Sequence, residues 1–274
     1  MKRNILLLTG NGFIGLNLIK TLNKKKNKIS IFIRKKNNFK IPQNIQILKK
    51  DIYQIKEIKV KNPIVILTTL NDKGKNFKFK FKLLLDKIKK TSPKKIILIS
   101  SVGVYSKNSN NYSKNCRIAE FECKNKFNNL TILRAGNIFG ELRNKPSYIE
   151  KIIISSINQQ DFVENKLNLT RSYIYIDEFC RAISKIIYKK TIDSNTYNLT
   201  NPNYIFSSYQ VRKLISECLD IKICLNKKKI NTHIFKSIIK PNKFEKIFNF
   251  KFTNNFSENV KKIHHYYSNH FKIN

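Results

Sequence analysis

The stretch Asn4-Ile-Leu-Leu-Leu-Thr9-Gly10-Asn-Gly12-Phe-Ile-Gly15 decides the fold of this 274-residue chain. A short apolar run of the strand type leads into three glycines with the spacing Gly-x-Gly-x-x-Gly, and a helical pattern follows at residues 16–22. In a unit of strand, turn and helix, such glycines allow a tight turn, a close approach of the backbone to a pyrophosphate, and close packing of the helix on the strand. Three of the seven glycines in the chain fall in this window. The turn is therefore predicted to bind a dinucleotide, with contacts from Gly10, Asn11, Gly12, Phe13, Ile14 and Gly15.

Five further runs of β-branched and other apolar residues follow this turn, and polar or helical segments separate them. They lie at residues 29–33, 45–48, 64–67, 96–100 and 130–134. Continuous apolar strands that alternate with helices are typical of a parallel sheet that is covered on both faces. The predicted fold class is therefore α/β, a doubly wound Rossmann parallel sheet with a small, mostly helical C-terminal substrate-binding part.

The segment at residues 77–82 alternates Phe and Lys as a strand would, whereas residues 83–88 have helical spacing. A crossover between parallel strands needs a helix at this point, and a helix is the prediction. Further helices are predicted at residues 111–126 and 146–157. The remaining predicted elements are a strand at 172–176, a helix capped by Asp177 that ends at Tyr188, a strand at 196–199, a helix capped by Ser207 that ends at Leu219, and a helix at 260–271.

The charge of the chain is large and positive. Lysine, isoleucine and asparagine supply 47, 43 and 36 residues, and the net charge is +38. A charge of this size is typical of proteins that bind nucleic acids or anionic membranes. The lysines are dispersed, however, and only eight residues are arginine, the better bidentate reader of phosphate. Because the three abundant residues all have A/T-rich codons, the composition indicates mutational drift, with a functional polyanion surface as the less favoured alternative.

Several other classes of protein are excluded by the sequence. No apolar run exceeds four residues, so no membrane-spanning helix is predicted. The start, Met-Lys-Arg-Asn, shows no secretory signal, and a cytoplasmic location is expected. The five cysteines form no Cys-x-x-Cys pair, and the four histidines lie apart from them in the last 42 residues. No metal site is therefore predicted, and the thiols are expected to be reduced and packed in the core.

The end of the second predicted strand indicates which dinucleotide binds. An acidic side chain at this place would accept hydrogen bonds from the ribose 2′-hydroxyl of NAD. The sequence Ile31-Phe-Ile-Arg34-Lys-Lys36 has three cations there instead. These charges suit the 2′-phosphate of NADP. The cofactor is predicted to be NAD(P), with NADP favoured, and Arg34 is its predicted contact.

Several segments together resemble the extended short-chain dehydrogenases/reductases that act on nucleotide sugars, a family of NAD(P)-dependent epimerases, dehydratases and ketoreductases. The turn at residues 9–15 is similar to the cofactor loop of this family. Lys50-Asp51-Ile52 is similar to its adenine-contacting segment, and the resemblance gives Asp51 and Ile52 that role. Ile99-Ser-Ser101-Val-Gly-Val-Tyr-Ser106 is similar to the strand that carries the catalytic Ser or Thr, a place that Ser101 takes.

Two later segments extend this resemblance over nearly the whole chain. Ile132-Leu-Arg-Ala-Gly-Asn137-Ile-Phe-Gly140 is similar to the segment whose Asn contacts the sugar nucleotide. Arg171-Ser-Tyr-Ile-Tyr-Ile-Asp177 is similar to the segment whose Arg grips the nucleotide phosphates. The resemblance thus implies a nucleotide-sugar substrate held by Asn137 and Arg171, and a homodimer. The cofactor-binding domain is expected at residues 1–140 together with 171–200, and the substrate-binding part at residues 141–170 together with 201–274.

The resemblance breaks at the catalytic helix. The family pattern has a Tyr that exchanges a proton with the substrate, and a Lys four residues later on the same helix face. Asn111-Tyr112-Ser-Lys-Asn-Cys116 aligns Tyr112 with that Tyr but has a cysteine where the Lys belongs. A cation at this place depresses the pKa of the Tyr and holds the nicotinamide ribose. Lys114 and Arg117 lie about 200° and about 100° away around the helix, so neither is expected to replace it.

Three hypotheses about function follow. The first is a nucleotide-sugar oxidoreductase or epimerase that transfers hydride at a sugar carbon, with Tyr112 tuned by the positive nicotinamide or by another Lys. The second is a protein that binds NADP and a ligand without turnover, as a sensor or an assembly subunit. The third is an RNA-binding use of the same fold. Dehydration is expected least, because related dehydratases carry an acidic pair where this chain has Val102-Gly103.

Overall fold

The computed structural model describes residues 2–33, 41–48, 52–53, 55–68, 76–106, 110–160, 162, 169–191, 194–221 and 243–271. The strands in these residues are β1 (Asn4–Leu7), β2 (Lys28–Ile31), β3 (Gln46–Ile47), β4 (Ile64–Leu67), β5 (Lys95–Ser101), β6 (Leu130–Ala135), β7 (Asn137–Phe139), β8 (Arg171–Tyr175), β9 (Thr196–Leu199) and β10 (Ile205–Phe206). The helices are α1 (Phe13–Asn23), α2 (Phe77–Lys89), α3 (Asn111–Lys126), α4 (Tyr148–Ile157), α5 (Ile176–Tyr188), α6 (Ser208–Leu219), α7 (Phe244–Phe248) and α8 (Phe256–Phe271).

The main sheet of the described residues has seven strands in the order β3-β2-β1-β4-β5-β6-β9. Every neighbouring pair in it is parallel. The first six strands follow the order 3-2-1-4-5-6 that defines a doubly wound dinucleotide-binding sheet, so the predicted Rossmann fold class is confirmed. The winding direction reverses between β1 and β4, and in such sheets a ligand crevice opens beside the carboxyl ends of the strands at that point.

Two apolar layers cover the faces of this sheet. Successive side chains of a strand point to opposite faces, and β1 shows the consequence. Its Ile5 and Leu7 pack in the layer that contains residues of α1 and α5, whereas Leu6 and the adjacent Leu8 pack in the layer that contains residues of α2 and α3. The sheet therefore needs apolar residues at consecutive positions, which is why its strands are continuous apolar runs.

The ambiguous Phe and Lys segment is helical, as predicted. The helix α2 buries Phe77, Phe81, Leu84, Leu85 and Ile88, which recur at the spacing of one helix face. The alternation over the first six residues leaves Phe79 on the opposite face, where 63% of its surface is exposed. The need to bury one continuous stripe thus decides between the two patterns.

Two short strands that were not predicted build a second sheet. In the described residues its order is β10-β8-β7, with β7 parallel and β10 antiparallel to β8. Strands of two and three residues are too short to show a period of two, so the sequence pattern gave no signal for β7 and β10. The predicted strand at residues 172–176 is β8, and it pairs within this second sheet.

The helix boundaries confirm one predicted cap and correct another. Ser207 caps α6, and its side chain accepts a hydrogen bond from the Gln210 amide at 3.1 Å, as predicted. Asp177 was predicted to cap α5, but this helix begins at Ile176 and its N-cap position is Tyr175. Asp177 therefore lies within the first turn, where a carboxylate still interacts favourably with the helix dipole.

A buried lysine closes the other end of α5. Lys95 is 5% exposed, and its ammonium donates to the carbonyl oxygens of Ile186 at 2.8 Å and Lys189 at 3.2 Å. A cation at the carboxyl end of a helix satisfies the last carbonyl groups and complements the dipole. None of the helices in the described residues is both long enough and apolar enough to cross a membrane.

Candidate functional site

A cavity of about 450 Å³ lies at the carboxyl ends of the central strands. Thr9 after β1, Thr68 after β4, Ser100 and Ser101 at the end of β5, and Gly136 after β6 line it. Two of these strands, β1 and β4, flank the point at which the winding of the sheet reverses. The cavity thus occupies the crevice in which a Rossmann sheet binds its ligands.

The three glycines of the turn occupy three different environments. A Cβ atom built on Gly10 would lie 2.6 Å from Ile31, and one built on Gly15 would lie 2.1 Å from the Thr9 carbonyl oxygen. A Cβ atom on Gly12 would meet no described atom within 4 Å, and Gly12 lines the cavity. Gly10 and Gly15 are therefore required by packing, whereas Gly12 leaves room for a group from the cavity. This space, at the start of α1, suits the pyrophosphate of a dinucleotide.

Ser101 and Tyr112 meet on one wall of the cavity. Ser101 ends β5, and its Oγ accepts a hydrogen bond from the Gly103 amide at 3.1 Å. Tyr112 lies in the first turn of α3, which begins after Asn110, whose side chain caps it through the Ser113 amide at 2.9 Å. Tyr112 and Ser101 both line the cavity, and Cys116 follows Tyr112 by one turn of α3.

The pKa values of Tyr112 and Cys116 are both raised. Although 38% of the Tyr112 surface is exposed, partial burial of this residue raises the pKa of its hydroxyl above the ordinary value of 10. The neighbouring Cys116 raises the pKa of Tyr112 further, and Ser101 opposes the effect. Burial also raises the pKa of the fully enclosed Cys116 thiol to about 11. Both groups are therefore protonated at neutral pH.

No lysine lines the cavity in the described part of the chain. Lys114 is exposed on the far side of α3. The Arg117 guanidinium donates to the carbonyl oxygens of Val104 at 3.3 Å and Ser106 at 3.0 Å. Neither of these two cations lines the cavity, and whether one of them replaces the lysine of the family pattern stays a prediction.

A buried ion pair lies behind Cys116. Arg134 donates two hydrogen bonds to the Glu120 carboxylate, from Nε to Oε1 at 3.0 Å and from Nη2 to Oε2 at 2.6 Å. The Ser100 hydroxyl donates to the same Oε1 at 2.6 Å. Ser100 also lines the cavity, so this hydrogen bond joins the cavity wall to the ion pair.

The second sheet brings Asn137 and Arg171 to the opposite wall of the cavity. Asn137 begins β7, Arg171 begins β8, and these two strands pair in parallel. The Asn137 side-chain amide donates to the carbonyl oxygen of Ser172 at 3.2 Å, and the Arg171 guanidinium lies 5.8 Å from the centre of the Tyr148 ring. Two segments that are 34 residues apart in sequence therefore present their polar side chains to one site.

The structure describes only some of the other predicted cofactor contacts. Arg34 and Asp51 lie outside the described residues. Ile52 is 7% exposed and packs in the apolar layer beside α2 and α3, away from the cavity. Asn11 and Gly10 belong to the turn but do not line the cavity. The preference for NADP and the adenine contact both stay predictions.

Arg143 is a site residue that sequence reasoning missed. It lines the cavity, its guanidinium lies 4.0 Å from the centre of the Phe13 ring, and its Nη2 donates to the Ile138 carbonyl oxygen at 2.7 Å. Burial lowers its pKa, and the Glu150 carboxylate 3.5 Å from its Nε opposes the effect. Only eight residues of the chain are arginine, and this scarcity could have drawn attention to Arg143.

Comparison with known proteins adds two kinds of similarity. A protein-family model described as NAD(P)H-binding matches residues 10–156, which is more than half of the chain. No curated protein sequence is similar enough to match.

Several solved structures share the fold over nearly their whole length. UDP-N-acetylglucosamine 4-epimerase from Methanobrevibacter ruminantium M1, in complex with UDP-N-acetylmuramic acid, is 20% identical, with a TM-score of 0.82 over 98% of this chain and 100% of that one. UDP-glucose 4-epimerase from Thermotoga maritima with UDP-glucose is 17% identical, with a TM-score of 0.76 over 97% and 99%. dTDP-glucose 4,6-dehydratase from Bacillus anthracis in complex with NAD is 18% identical, with a TM-score of 0.76 over 98% of each chain.

Proposed function

The chain belongs to the NAD(P)H-binding family, and from this membership we propose that it is an NAD(P)-dependent oxidoreductase or epimerase that acts on a nucleotide sugar by hydride transfer at a sugar carbon. One observation carries the proposal: residues assigned to cofactor, catalysis and substrate in five separate segments line a single cavity. They are Gly12, Ser101, Tyr112, Asn137 and Arg171.

In this proposal, Ser101 and Tyr112 handle the proton of the reacting hydroxyl. Both residues line the same cavity, so one sugar oxygen is proposed to contact both. NAD(P), when bound, accepts or supplies the hydride. Tyr112 takes the proton from the hydroxyl, or returns it to the carbonyl, as general base or acid. The hydroxyl of Tyr112 is protonated at neutral pH, which suits it to proton donation.

The nucleotide end of the substrate is proposed to lie between Asn137 and two arginines. Arg143 and Arg171 both line the cavity, and two guanidinium groups suit a diphosphate, since each can donate two parallel hydrogen bonds. The structures of similar fold contain UDP-N-acetylmuramic acid and UDP-glucose, which supports a nucleotide diphosphate sugar here. For the cofactor, NADP is proposed because of the cations at residues 34–36.

Turnover assays separate this proposal from binding without turnover. The purified protein is incubated with NADPH or NADH and with UDP- and dTDP-linked sugars and keto sugars, and products are identified by NMR. Formation of an epimer or a reduced sugar, lost in Tyr112→Phe, supports the enzyme. NADPH binding by calorimetry with no product in the wild type, and none in Cys116→Lys, supports a sensor or assembly subunit.

The homodimer is proposed to form through α2 and α3. These helices pack against each other and expose Phe79, Leu83 and Phe121 by 63%, 44% and 59% on their outward faces. The same two helices of a second copy, related by a two-fold axis, would bury these side chains. Sedimentation velocity is expected to show a dimer for the wild type and a monomer for Phe79→Glu combined with Phe121→Glu.

A second candidate function, RNA binding, is favoured by a cationic groove. A cavity of about 750 Å³ beside α1, α5 and α7 is lined by five cations and, in the described residues, by no carboxylate. The cations are Lys25, Arg181, Lys185, Lys189 and Lys251. Three of these cations lie against aromatic rings. Lys25 is 4.3 Å from the centre of the Tyr188 ring, and Lys189 is 4.7 Å from the centre of the Phe248 ring. Arg181 is 5.1 Å from the centre of the Phe250 ring.

Filter binding of single-stranded RNA across a salt series tests this second function. When cations contact phosphates, the affinity for RNA falls steeply as the salt concentration rises, and the slope increases with the number of cations involved. Lys25→Gln combined with Lys185→Gln is expected to reduce the slope, whereas Lys59→Gln, an exposed lysine that does not line the groove, leaves it unchanged. If both variants give equal slopes, RNA is retained by the dispersed charge of the chain and not by the groove.

A further inference from the structure

A short 3₁₀ turn lies between β5 and α3 in the chain and borders the proposed catalytic site. It spans Val102–Tyr105, begins directly after Ser101, and has Ser106 at its C-cap. The Oγ of Ser101 caps the start of this turn, because it accepts the hydrogen bond from the Gly103 amide at 3.1 Å. The direction in which Ser101 presents its hydroxyl is therefore set by the turn that follows it.

The turn packs closely on the first turn of α3. A Cβ atom built on Gly103 would lie 2.7 Å from the Oγ of Ser113, the residue that follows Tyr112 in the helix. The same atom would lie 3.3 Å from the Oγ of Ser101. A side chain at this place would push against both serines, so the turn is in close contact with the helix that carries Tyr112.

Arg117 ties the backbone of this turn to α3. Its guanidinium donates from Nε to the Val104 carbonyl oxygen at 3.3 Å, and from Nη2 to the Ser106 carbonyl oxygen at 3.0 Å. Arg117 follows Tyr112 by five residues, or about 1.4 turns, on the same helix. A planar guanidinium can hold two carbonyl groups at once, whereas an ammonium is a point charge without this fork. The helix that carries Tyr112 thus also holds the turn that orients Ser101.

A second tie holds the turn by a side chain instead of the backbone. Arg134 on β6 donates from Nη1 to the Tyr105 hydroxyl at 2.8 Å, and that hydroxyl donates to Oδ1 of Asn198 at 2.8 Å. The position of the Tyr105 side chain is therefore fixed from β6 and β9. Arg117 is the residue that connects the turn to α3 itself.

We propose that Arg117 is a positioning residue, which fixes the Ser101 hydroxyl relative to Tyr112 by tying the turn at Val102–Tyr105 to α3. This proposal rests on the proposed function, because Ser101 and Tyr112 are the residues that handle the proton of the reacting hydroxyl. Catalytic groups act only when they are held in the productive geometry, and a displacement of about 1 Å can lower a rate about 10²-fold. Arg117 does not line the cavity, so it acts through Ser101 and not on the substrate.

The amide of Gly103 reports on the turn without cofactor or substrate, and selective labels identify it. Val102-Gly103 is the only Val-Gly pair in the sequence, so valine with ¹³C at its carbonyl carbon, together with ¹⁵N-glycine, assigns the Gly103 amide in NMR spectra. Ala135-Gly136 is the only Ala-Gly pair, and ¹³C-alanine assigns the Gly136 amide in the same way. Gly136 also lines the cavity, and its amide donates to the Leu199 carbonyl oxygen at 3.1 Å.

Hydrogen exchange at these two amides tests the tie. In Arg117→Ala, the Gly103 amide is expected to exchange with water about fivefold faster, the factor that one hydrogen bond of ordinary strength contributes. The Gly136 amide is expected to keep its rate. Lys114→Ala, which removes an exposed cation from the same helix, should leave both rates unchanged.

The same measurement separates a tie from a general contribution to stability. If Arg117 only stabilised the fold, both amides would exchange faster in Arg117→Ala, and the proposal would be overturned. An unchanged rate at Gly103 would overturn it as well. Should Arg117→Ala not fold, Arg117→Lys takes its place, because it keeps the charge and loses the fork. A smaller but selective increase at Gly103 is expected for Arg117→Lys.

Steady-state kinetics test the consequence for catalysis. Arg117→Ala is expected to lower kcat for the sugar nucleotide about 10- to 100-fold, and to leave the KM and the NADPH affinity unchanged. Because Arg117 acts through Ser101, Arg117→Ala should add no further loss to Ser101→Ala. Equal turnover in the wild type and in Arg117→Ala would overturn the proposal and leave the enzyme in place.

The pH-rate profile separates an effect of position from an effect of charge. A cation that stabilised the Tyr112 phenolate would lower the pH at which activity rises, so its removal would shift the rise to higher pH. A positioning residue changes the height of the profile and not its position on the pH axis, which is the result expected for Arg117→Ala. A shift of the rise to higher pH would overturn positioning in favour of charge.

The two kinds of readout keep failure of this proposal apart from failure of the proposed function. If no variant turns over, the wild type included, the proposed function is overturned, and the catalytic consequence of Arg117 with it. Exchange at Gly103 would still decide whether Arg117 ties the turn to α3. Turnover that falls in Arg117→Ala without faster exchange at Gly103 would overturn the tie and leave the proposed function in place.

Discussion

Cys116 lies one turn beyond Tyr112 on α3, and its thiol adds to the effect of burial in raising the pKa of the Tyr112 hydroxyl. A neutral thiol here supplies no positive charge to stabilise the phenolate form of Tyr112. Any turnover that uses Tyr112 should therefore depend on pH.

Turnover by the wild type is expected to rise toward alkaline pH. Both groups lose their protons only above their ordinary pKa values, because burial raises each pKa, and a higher pH favours proton loss from the pair. Cys116→Lys should move the rise to lower pH, since an ammonium favours the phenolate. The measurement is a pH-rate profile, with Tyr112→Phe as a control that lowers the rate about 10²- to 10⁴-fold. Activity that does not depend on Tyr112 would refute its assignment as the proton donor.

Gly12→Val should abolish cofactor binding and leave the fold intact. A side chain at Gly12 points into the cavity and meets no described atom within 4 Å, so the new methyl groups occupy the proposed pyrophosphate position. Gly15→Val is the matched contrast, because its Cβ would lie 2.1 Å from the Thr9 carbonyl oxygen and the helix would have to move. Calorimetry with NADPH and thermal unfolding of both variants check this. Unchanged NADPH affinity in Gly12→Val would count against the pyrophosphate site.

Arg34→Ala should weaken NADPH binding by about 1 to 3 kcal/mol, the scale of a hydrogen bond to a charged group. NADH lacks the 2′-phosphate, so its binding serves as the internal control and should change little. Calorimetric titration of both nucleotides into both proteins gives the comparison. A wild type that prefers NADH would contradict the assignment of Arg34 as the contact for the 2′-phosphate of NADP.

Arg171→Ala should raise the KM for the sugar nucleotide about 10- to 100-fold, as expected for a lost charge-assisted hydrogen bond, without changing NADPH affinity. Arg143→Ala should act in the same direction, because both arginines line the cavity. Arg181→Ala, which changes an arginine outside this cavity, is the matched control. A KM that stays at the wild-type value in Arg171→Ala would remove it from the substrate site.

The stability of the fold should fall in alkaline solution, and Cys116 accounts for part of the loss. Burial raises the pKa of its thiol to about 11, so the folded state keeps a proton that the unfolded chain releases from about pH 9 upward. This group therefore stabilises the fold fully below about pH 9 and loses about 3 kcal/mol of that contribution by about pH 11. Urea unfolding of wild type and Cys116→Ser across this range isolates the effect. Parallel pH dependence in the two proteins would contradict it.

The architecture was predictable because strand and helix patterns extend over enough residues to show a period. The turn at Gly10 and the alternation of strands with helices predicted a doubly wound parallel sheet. Ser207 was predicted as the N-cap of α6, and it is. The second sheet was not predictable, since β7 and β10 are shorter than one full alternation. Its pairing sets Asn137 opposite Tyr173, two residues after Arg171, and only the resemblance to a family had suggested that Asn137 and Arg171 act together.

The chemistry of the site was predictable only in part. The sequence showed that Cys116 interrupts the family pattern, but the groups that shift the pKa of its thiol come from β5 and from α3 itself, and no local pattern reports them. Nothing in the sequence marks Glu120, whose carboxylate is paired with Arg134. Buried polar groups are defined by the partners that tertiary packing brings to them, which sequence spacing does not reveal.

Among 47 lysines, Lys95 is set apart by its ammonium, which is tied to the carbonyl oxygens of Ile186 and Lys189 inside the protein. Reagents that acylate amines need an accessible nitrogen, and Lys95 does not offer one while α5 stays in place. The Lys95 side chain should therefore remain unlabelled in mass spectrometry of the folded chain, when exposed lysines such as the adjacent Lys94 are acylated, and become labelled on unfolding. This single side chain is a built-in folding reporter that requires neither a ligand nor an assay of activity.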